Sequence, residues 1–149
     1  MPLELAACTD GDMDRAFVIV SDAFGQEYPY IKYVFPKHET LAGRRTGGNR
    51  LRALKNGDPN TTYLKITDTE TGVMTAVAKW NIYDGIIPDE ASLEGEFWDT
   101  ETEKKLAQEI FAGYLMPRRK AIKNAVGKIV CRSAWEYATI MLTQALLRS

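Results

Sequence analysis

Two neighbouring segments decide the fold of this chain: Thr61-Thr62-Tyr63-Leu64-Lys65-Ile66-Thr67 and Val73-Met74-Thr75-Ala76-Val77-Ala78-Lys79-Trp80-Asn81-Ile82-Tyr83. Both are rich in β-branched and aromatic residues, which are typical of strands. A short turn that ends at Gly72 separates them. This arrangement predicts an antiparallel hairpin with strands over residues 60–68 and 73–83.

Upstream of the hairpin, the pattern predicts a first strand over residues 2–8 and then two helices. Thr9 is expected to cap the first helix together with Asp12, and Gly25 to end it. The second helix is expected over residues 40–56. The apolar positions of the first helix follow the 3-and-4 spacing of an amphipathic helix: Met13, Ala16, Phe17, Val20, Ala23 and Phe24.

Prolines and glycines modify this upstream region. Residues 26–37 are aromatic and contain two prolines, which favours a structured loop or a few short turns. The pair Gly47-Gly48 weakens the second helix by ~1 kcal/mol per glycine relative to alanine. Gly57 is expected to end that helix in the left-handed conformation.

Downstream, residues 84–98 are expected to form a long loop before a helix capped by Thr100-x-x-Glu103, which Pro117 either kinks or restarts. Its buried face would carry Leu106, Ile110, Phe111, Tyr114 and Leu115. A short strand at residues 128–131 and a capped amphipathic helix over 133–148 complete the chain. This order predicts an α+β fold, with a mostly antiparallel sheet, flanking helices and an added C-terminal helix.

The composition limits which classes of function the chain can have. The 149 residues amount to one domain, and 19 basic against 20 acidic side chains argue against a dedicated nucleic-acid or membrane-surface binder. No apolar run is long enough to cross a membrane, and the start lacks a secretory signal pattern, so a cytoplasmic location is expected. One histidine and two cysteines make a multi-histidine zinc site or a disulfide framework impossible within one chain. Cys8 and Cys131 are expected to be small buried side chains.

The order of elements and several segments resemble the GNAT superfamily of acyl-CoA-dependent N-acetyltransferases, in particular its fungal small-molecule type. The resemblance covers roughly residues 1–131, and residues 132–149 diverge from it. The segments that carry it are Pro2-Leu3-Glu4-Leu5, Ala16-Phe17, Ser21-Asp22-Ala23-Phe24-Gly25, Tyr33-Val34-Phe35-Pro36, Asp58-Pro59-Asn60-Thr61-Thr62, Ala78-Lys79-Trp80-Asn81-Ile82-Tyr83 and Pro117-Arg118-Arg119-Lys120.

The chain departs from that family where the cofactor binds. The resemblance implies a glycine-rich loop after the strand at Ile129-Val130-Cys131, whose backbone N–H groups hold the CoA pyrophosphate. Here Arg132-Ser133-Ala134-Trp135 follows, and no glycine occurs after Gly127. The family's later strands have no counterpart either. We therefore expect no acetyl-CoA cofactor, no acetyl transfer by this chain alone, and a retained acceptor half.

Aromatic residues are the candidate ligand site. Tyr28, Tyr30, Tyr33, Phe35, Trp80, Tyr83 and Trp98 would together line a pocket for an apolar or aromatic small molecule. Alternatively, about half of them belong to the core.

Three residues are candidates for acid–base catalysis: His38, Asp84 and Glu96. The alternatives are a surface or capping histidine and two solvated loop acids. The basic clusters Arg44, Arg45, Arg50, Arg52 with Lys55, and Arg118, Arg119, Lys120 with Lys123, are expected to be solvated helix faces.

Two classes of function remain open. In the first, the chain binds a small molecule in the retained pocket, with or without a cofactor-free isomerisation or cyclisation. In the second, it is a non-catalytic partner or regulatory subunit of an intact N-acetyltransferase. A homodimer is expected in both, because the strand over residues 129–131 would be an unpaired edge.

Overall fold

The computed structural model describes residues 2–25, 27–83, 88–89, 91–124 and 130–133. These form an α+β fold, as predicted. In chain order the elements are β1 (Leu3–Ala7), a 3-10 turn (Asp10–Asp12), α1 (Met13–Phe24), α2 (Pro29–Val34), α3 (Leu41–Gly57), β2 (Thr61–Asp68), β3 (Val73–Tyr83), α4 (Glu101–Asn124) and β4 (Val130–Ser133).

The strands form one antiparallel sheet in the order β1-β2-β3-β4. The predicted hairpin is β2 and β3, with Tyr63 opposite Lys79, and Gly72 adopts φ 70° in the turn. Trp80 at the far end of β3 pairs with Ser133. The last strand therefore runs two residues beyond its predicted end, into the segment assigned to the C-terminal helix. That helix and the side chain of Cys131 lie outside the described residues.

Side-chain caps fix the helix starts as the sequence indicates. The backbone N–H and hydroxyl of Thr9 both donate to Asp12 Oδ2, at 2.7 and 2.8 Å. Thr40 Oγ1 accepts from the N–H of Gly43 at 3.0 Å. Thr100 Oγ1 accepts from the N–H of Glu103, whose carboxylate accepts from the N–H of Thr100.

Three local expectations need correction. Residues 29–34 form the short helix α2, because Pro29 occupies a first-turn position where its missing N–H is not needed. Gly57 is the last residue of α3 and has no positive φ, so it does not end the helix in the left-handed conformation; the residue after it, Asp58, is extended. In α4, Leu106 is 39% exposed, and the buried positions are Ala107, Leu115 and Ile122.

The core lies between the sheet and α1, α2 and α3. Met13, Ala16 and Phe17 of α1 are fully buried there, together with Ile31 and Val34 of α2. Cys8 is buried as predicted. None of the described helices is both long and apolar enough to cross a membrane.

The glycine pair of α3 is explained by close packing against α1. A Cβ atom at Gly47 would overlap the ring of Phe17, and one at Gly48 would overlap the carboxylate of Asp14. The two helices approach each other at the point where α3 lacks side chains. The pair that weakens α3 locally thus permits the main helix–helix contact of the fold.

Candidate functional site

A cleft of about 180 Å³ lies beside the first half of α3. The turn after α2 forms one wall and the segment Glu96-Phe97 forms the other, while Gly43 and Gly47 form part of its floor without side chains. A Cβ atom at Gly43 would overlap the carbonyl of Lys37, so this close approach requires glycine. The lining residues are Phe35, Pro36, Lys37, Thr40, Ala42, Gly43, Thr46, Gly47, Arg50, Glu96 and Phe97.

Arg50 is the central side chain of this cleft. Its guanidinium lies 4.1 Å from the ring centroid of Phe35 and 4.4 Å from that of Phe97. One of its N–H groups donates to Val34 O at 2.6 Å. Within the described ranges, no carboxylate is close enough to form an ion pair with it. Burial lowers the pKa of Arg50 to about 10, and the nearby Tyr30 counteracts this in part. The sequence expectation of a solvated arginine is wrong here.

His38 belongs to a buried pair and not to the lining of the cleft. The Ser21 hydroxyl lies 2.8 Å from His38 Nδ1 and 3.2 Å from His38 O, within hydrogen-bond distance of both. Both residues are almost fully buried. Burial lowers the pKa of His38, and Glu39 partly offsets that effect. A neutral imidazole that joins α1 to the turn before α3 is a structural element, so the alternative of a surface histidine is also wrong.

The residues that were predicted to line one aromatic pocket lie at several separate places in the structure. Phe35 lines the cleft, and Trp98 beside it donates from Nε1 to Tyr33 O at 2.8 Å. Tyr30 packs on Tyr114 of α4, with 4.5 Å between ring centroids. Tyr28, 38% exposed, stacks on Phe24.

The remaining candidates are on or near β3. Because side chains alternate along a strand, Trp80 and Tyr83 point to opposite faces of the sheet. Tyr83 is buried and Trp80 is half-buried. Asp84 lies outside the described residues. Glu96, the third predicted catalytic residue, lines the cleft with its carboxylate exposed and 3.7 Å from Lys104 Nζ.

A second polar cluster, which the sequence did not predict, is centred on Asp58 at the start of β2. Asp58 Oδ1 accepts from the backbone N–H and the side-chain amide of Asn60, at 2.9 and 3.0 Å. Its Oδ2 accepts from Tyr83 at 3.1 Å and from Thr61 at 3.3 Å. Burial alone would raise the pKa of Asp58, but these hydrogen bonds hold it below its usual range. The carboxylate is therefore ionised and saturated with donors.

Lys79 lies next to this Asp58 cluster. It occupies the inward face of β3 opposite Tyr63, which is a core residue. Among the residues the structure describes, no acceptor or carboxylate forms a hydrogen bond or ion pair with its amine. Burial lowers the pKa of Lys79 to about 8, Arg118 lowers it further, and Asp58 opposes both effects. A lysine in an otherwise apolar stretch of the hairpin was the sequence signal for this site.

Comparison with known proteins gives no family: no protein-family model matches the chain, and no curated protein matches it significantly. No group of three or more potential metal-ligating side chains occurs within the described ranges.

Proposed function

We propose that the protein binds a small aromatic or apolar molecule that carries a carboxylate, in the cleft beside α3. The observation that carries this proposal is the position of the Arg50 guanidinium over the rings of both Phe35 and Phe97. Stacked aromatic rings shield the faces of the guanidinium and leave its edge available for a planar, two-point contact with a carboxylate. A flat apolar group would extend the aromatic stack.

The GNAT resemblance is consistent with this proposal. On this proposal, the four antiparallel strands and the helices between β1 and β2 correspond to an acceptor half of that superfamily. On this proposal the chain retains the part that holds the acceptor and does not use acetyl-CoA. Its ligand is then related to an acceptor substrate and not to a cofactor.

Glu96 is the predicted acid–base residue that lines the cleft in the described structure. Its exposed carboxylate would serve a cofactor-free proton transfer only on a ligand that covers it, since water otherwise competes for the proton. Binding is therefore the proposed function, and proton transfer is a step that binding would make possible.

Titration with benzoate, followed by NMR of labelled protein, tests the proposal. We expect shifts centred on Phe35, Phe97 and Arg50, and much weaker binding of neutral benzamide. Arg50→Gln should weaken benzoate binding about ten- to a hundred-fold, since a charged hydrogen bond contributes ~1.5–3 kcal/mol. The matched control is Arg45→Gln, which removes an exposed arginine of the same helix.

Two results would contradict this function. One is an Arg50→Gln protein that remains folded and binds benzoate like the wild type. The other is benzoate and benzamide binding equally well. Thermal unfolding of each variant separates loss of the site from loss of the fold.

A further inference from the structure

The wall of the cleft that faces the turn after α2 belongs to an irregular segment, residues 93–99, which is held at both ends. At its start, the buried Leu93 accepts a hydrogen bond at its backbone carbonyl from Nε2 of Gln108, at 3.0 Å. Near its end, the Trp98 indole donates to Tyr33 O at 2.8 Å. The path of the chain between these two attachments is therefore restricted.

Gly95 lies between the two attachments and determines how the segment bends. Its φ of 118° belongs to a region that glycine adopts readily and residues with a side chain do not. A Cβ atom on Gly95 would also overlap the ring of Phe97, which packs directly against its backbone. Both the backbone conformation and the contact with the ring thus require a residue without a side chain.

The ring that packs on Gly95 is the one that contacts Arg50. The Arg50 guanidinium lies 4.4 Å from the centroid of the Phe97 ring, and its other contacts, with Phe35 and with Val34 O, come from α2 and the turn after it. Phe97 is thus the contact that reaches Arg50 from the opposite wall. Gly95 itself is not among the described residues that line the cleft, so any effect it has on the cleft acts through Phe97.

We propose that Gly95 is a positioning residue of the α3 cleft, which leaves the room that the Phe97 ring needs to lie over the Arg50 guanidinium. The consequence for ligand binding rests on the proposed function. An arginine side chain that is already held in place loses less conformational freedom when it binds a carboxylate. A side chain at position 95 should therefore weaken carboxylate binding without touching the ligand.

The first measurement needs no ligand. In the ¹⁵N-labelled full chain, the Nε–H signal of Arg50 reports on the neighbouring rings, because an aromatic ring shifts the signals of nearby protons. Gly95→Ala should move this signal towards its position in Phe97→Ala, where the ring is absent. The matched control is Gly72→Ala, because Gly72 has φ 70° and a Cβ atom there meets nothing within 4 Å. That control introduces backbone strain without a clash, so it should leave the Arg50 signal unchanged.

The double variant Gly95→Ala/Phe97→Ala separates the ring contact from backbone strain. If Gly95 acts through the ring, adding Gly95→Ala to Phe97→Ala should not move the Arg50 signal further, and it should lower the urea midpoint less than it does in the wild type. A Gly95→Ala protein that fails to fold while the double variant folds would support the same contact. An equal loss of stability in both backgrounds, or an unmoved Arg50 signal in folded Gly95→Ala, would overturn the proposal.

Benzoate titration then measures the consequence for binding. Immobilising one flexible side chain on binding typically lowers affinity about two- to ten-fold, so Gly95→Ala should weaken benzoate binding by about that factor. Gly72→Ala should bind benzoate like the wild type. Unchanged affinity in a Gly95→Ala protein whose Arg50 signal has moved would refute the positioning role. A wild type that does not bind benzoate would contradict the proposed function, and the Arg50 signal would still decide whether Gly95 places the Phe97 ring.

Discussion

Replacement of Gly47 by alanine tests the helix contact on which the fold and the cleft floor both depend. The new methyl group would overlap the ring of Phe17, which is fully buried and packs against Phe35 with 5.1 Å between ring centroids. Overpacking of this kind typically costs about 1–3 kcal/mol. Alanine also favours the helix by about 1 kcal/mol over glycine. We expect an overpacking cost in the upper half of that range, about 2–3 kcal/mol, because the ring of Phe17 is fully buried. The net loss is then about 1–2 kcal/mol.

Urea unfolding monitored by circular dichroism measures this loss. The control is Gly113→Ala in the middle of α4, where a Cβ atom meets nothing within 4 Å. That variant should gain up to about 1 kcal/mol from helix propensity alone. A Gly47→Ala protein as stable as the wild type, with Gly113→Ala stabilised, would refute the close packing of α1 on α3.

Three further predictions concern single groups and assembly. Burial lowers the pKa of His38 below 6.5, so the unfolded chain binds a proton at a higher pH than the folded chain does. The free energy of unfolding should therefore decrease from pH 7 towards pH 5. His38→Asn should remove this pH dependence, as measured by urea titration. Burial raises the pKa of Asp12, but hydrogen bonds from Lys65 and Thr9 outweigh that effect and hold it below 3.8. Asp12→Asn should lower the free energy of unfolding by ~1–2 kcal/mol at pH 7. The difference in unfolding free energy from the wild type should become smaller below pH 4 in the same assay. In the described structure β4 pairs only with β3, so the homodimer stays a prediction; light scattering that shows a 16.7 kDa monomer would contradict it.

Local physical chemistry was sufficient to predict most of the fold. Thr9, Thr40 and Thr100 mark helix starts because a side-chain oxygen next to unsatisfied N–H groups has the same effect in any protein. β-branched and aromatic composition identified β2 and β3 for a similarly general reason. The predictions were wrong where the exposure of a residue depends on its place in the tertiary structure. The exposure of Leu106 depends on which face of α4 contacts α2, and periodicity alone does not determine that.

The sites were harder to predict because they depend on contacts distant in sequence. Arg50 is one of several arginines along α3, and its contact with Phe97 joins two segments that are distant in sequence. Residue type alone predicted one ligand pocket lined by all of the aromatic candidates. In the structure they separate into the α2–α4 contact, the cleft wall and the two faces of β3.

Arg50 and Lys79 share one physical feature, because each is a largely buried cation without a carboxylate ion pair among the described residues. At Arg50 the rings of Phe35 and Phe97 compensate for lost hydration through cation–π contacts, so the charge is retained. At Lys79 no such ring contact is present in the described structure, and the amine responds by losing its proton more readily. The guanidinium cannot respond in that way, because its pKa remains far above neutrality even after burial. The same desolvation penalty therefore leaves a charged guanidinium at Arg50 and lowers the pKa of the amine at Lys79. Arg50→Lys should weaken benzoate binding although it keeps the positive charge, because an ammonium group cannot make the planar two-point contact of a guanidinium.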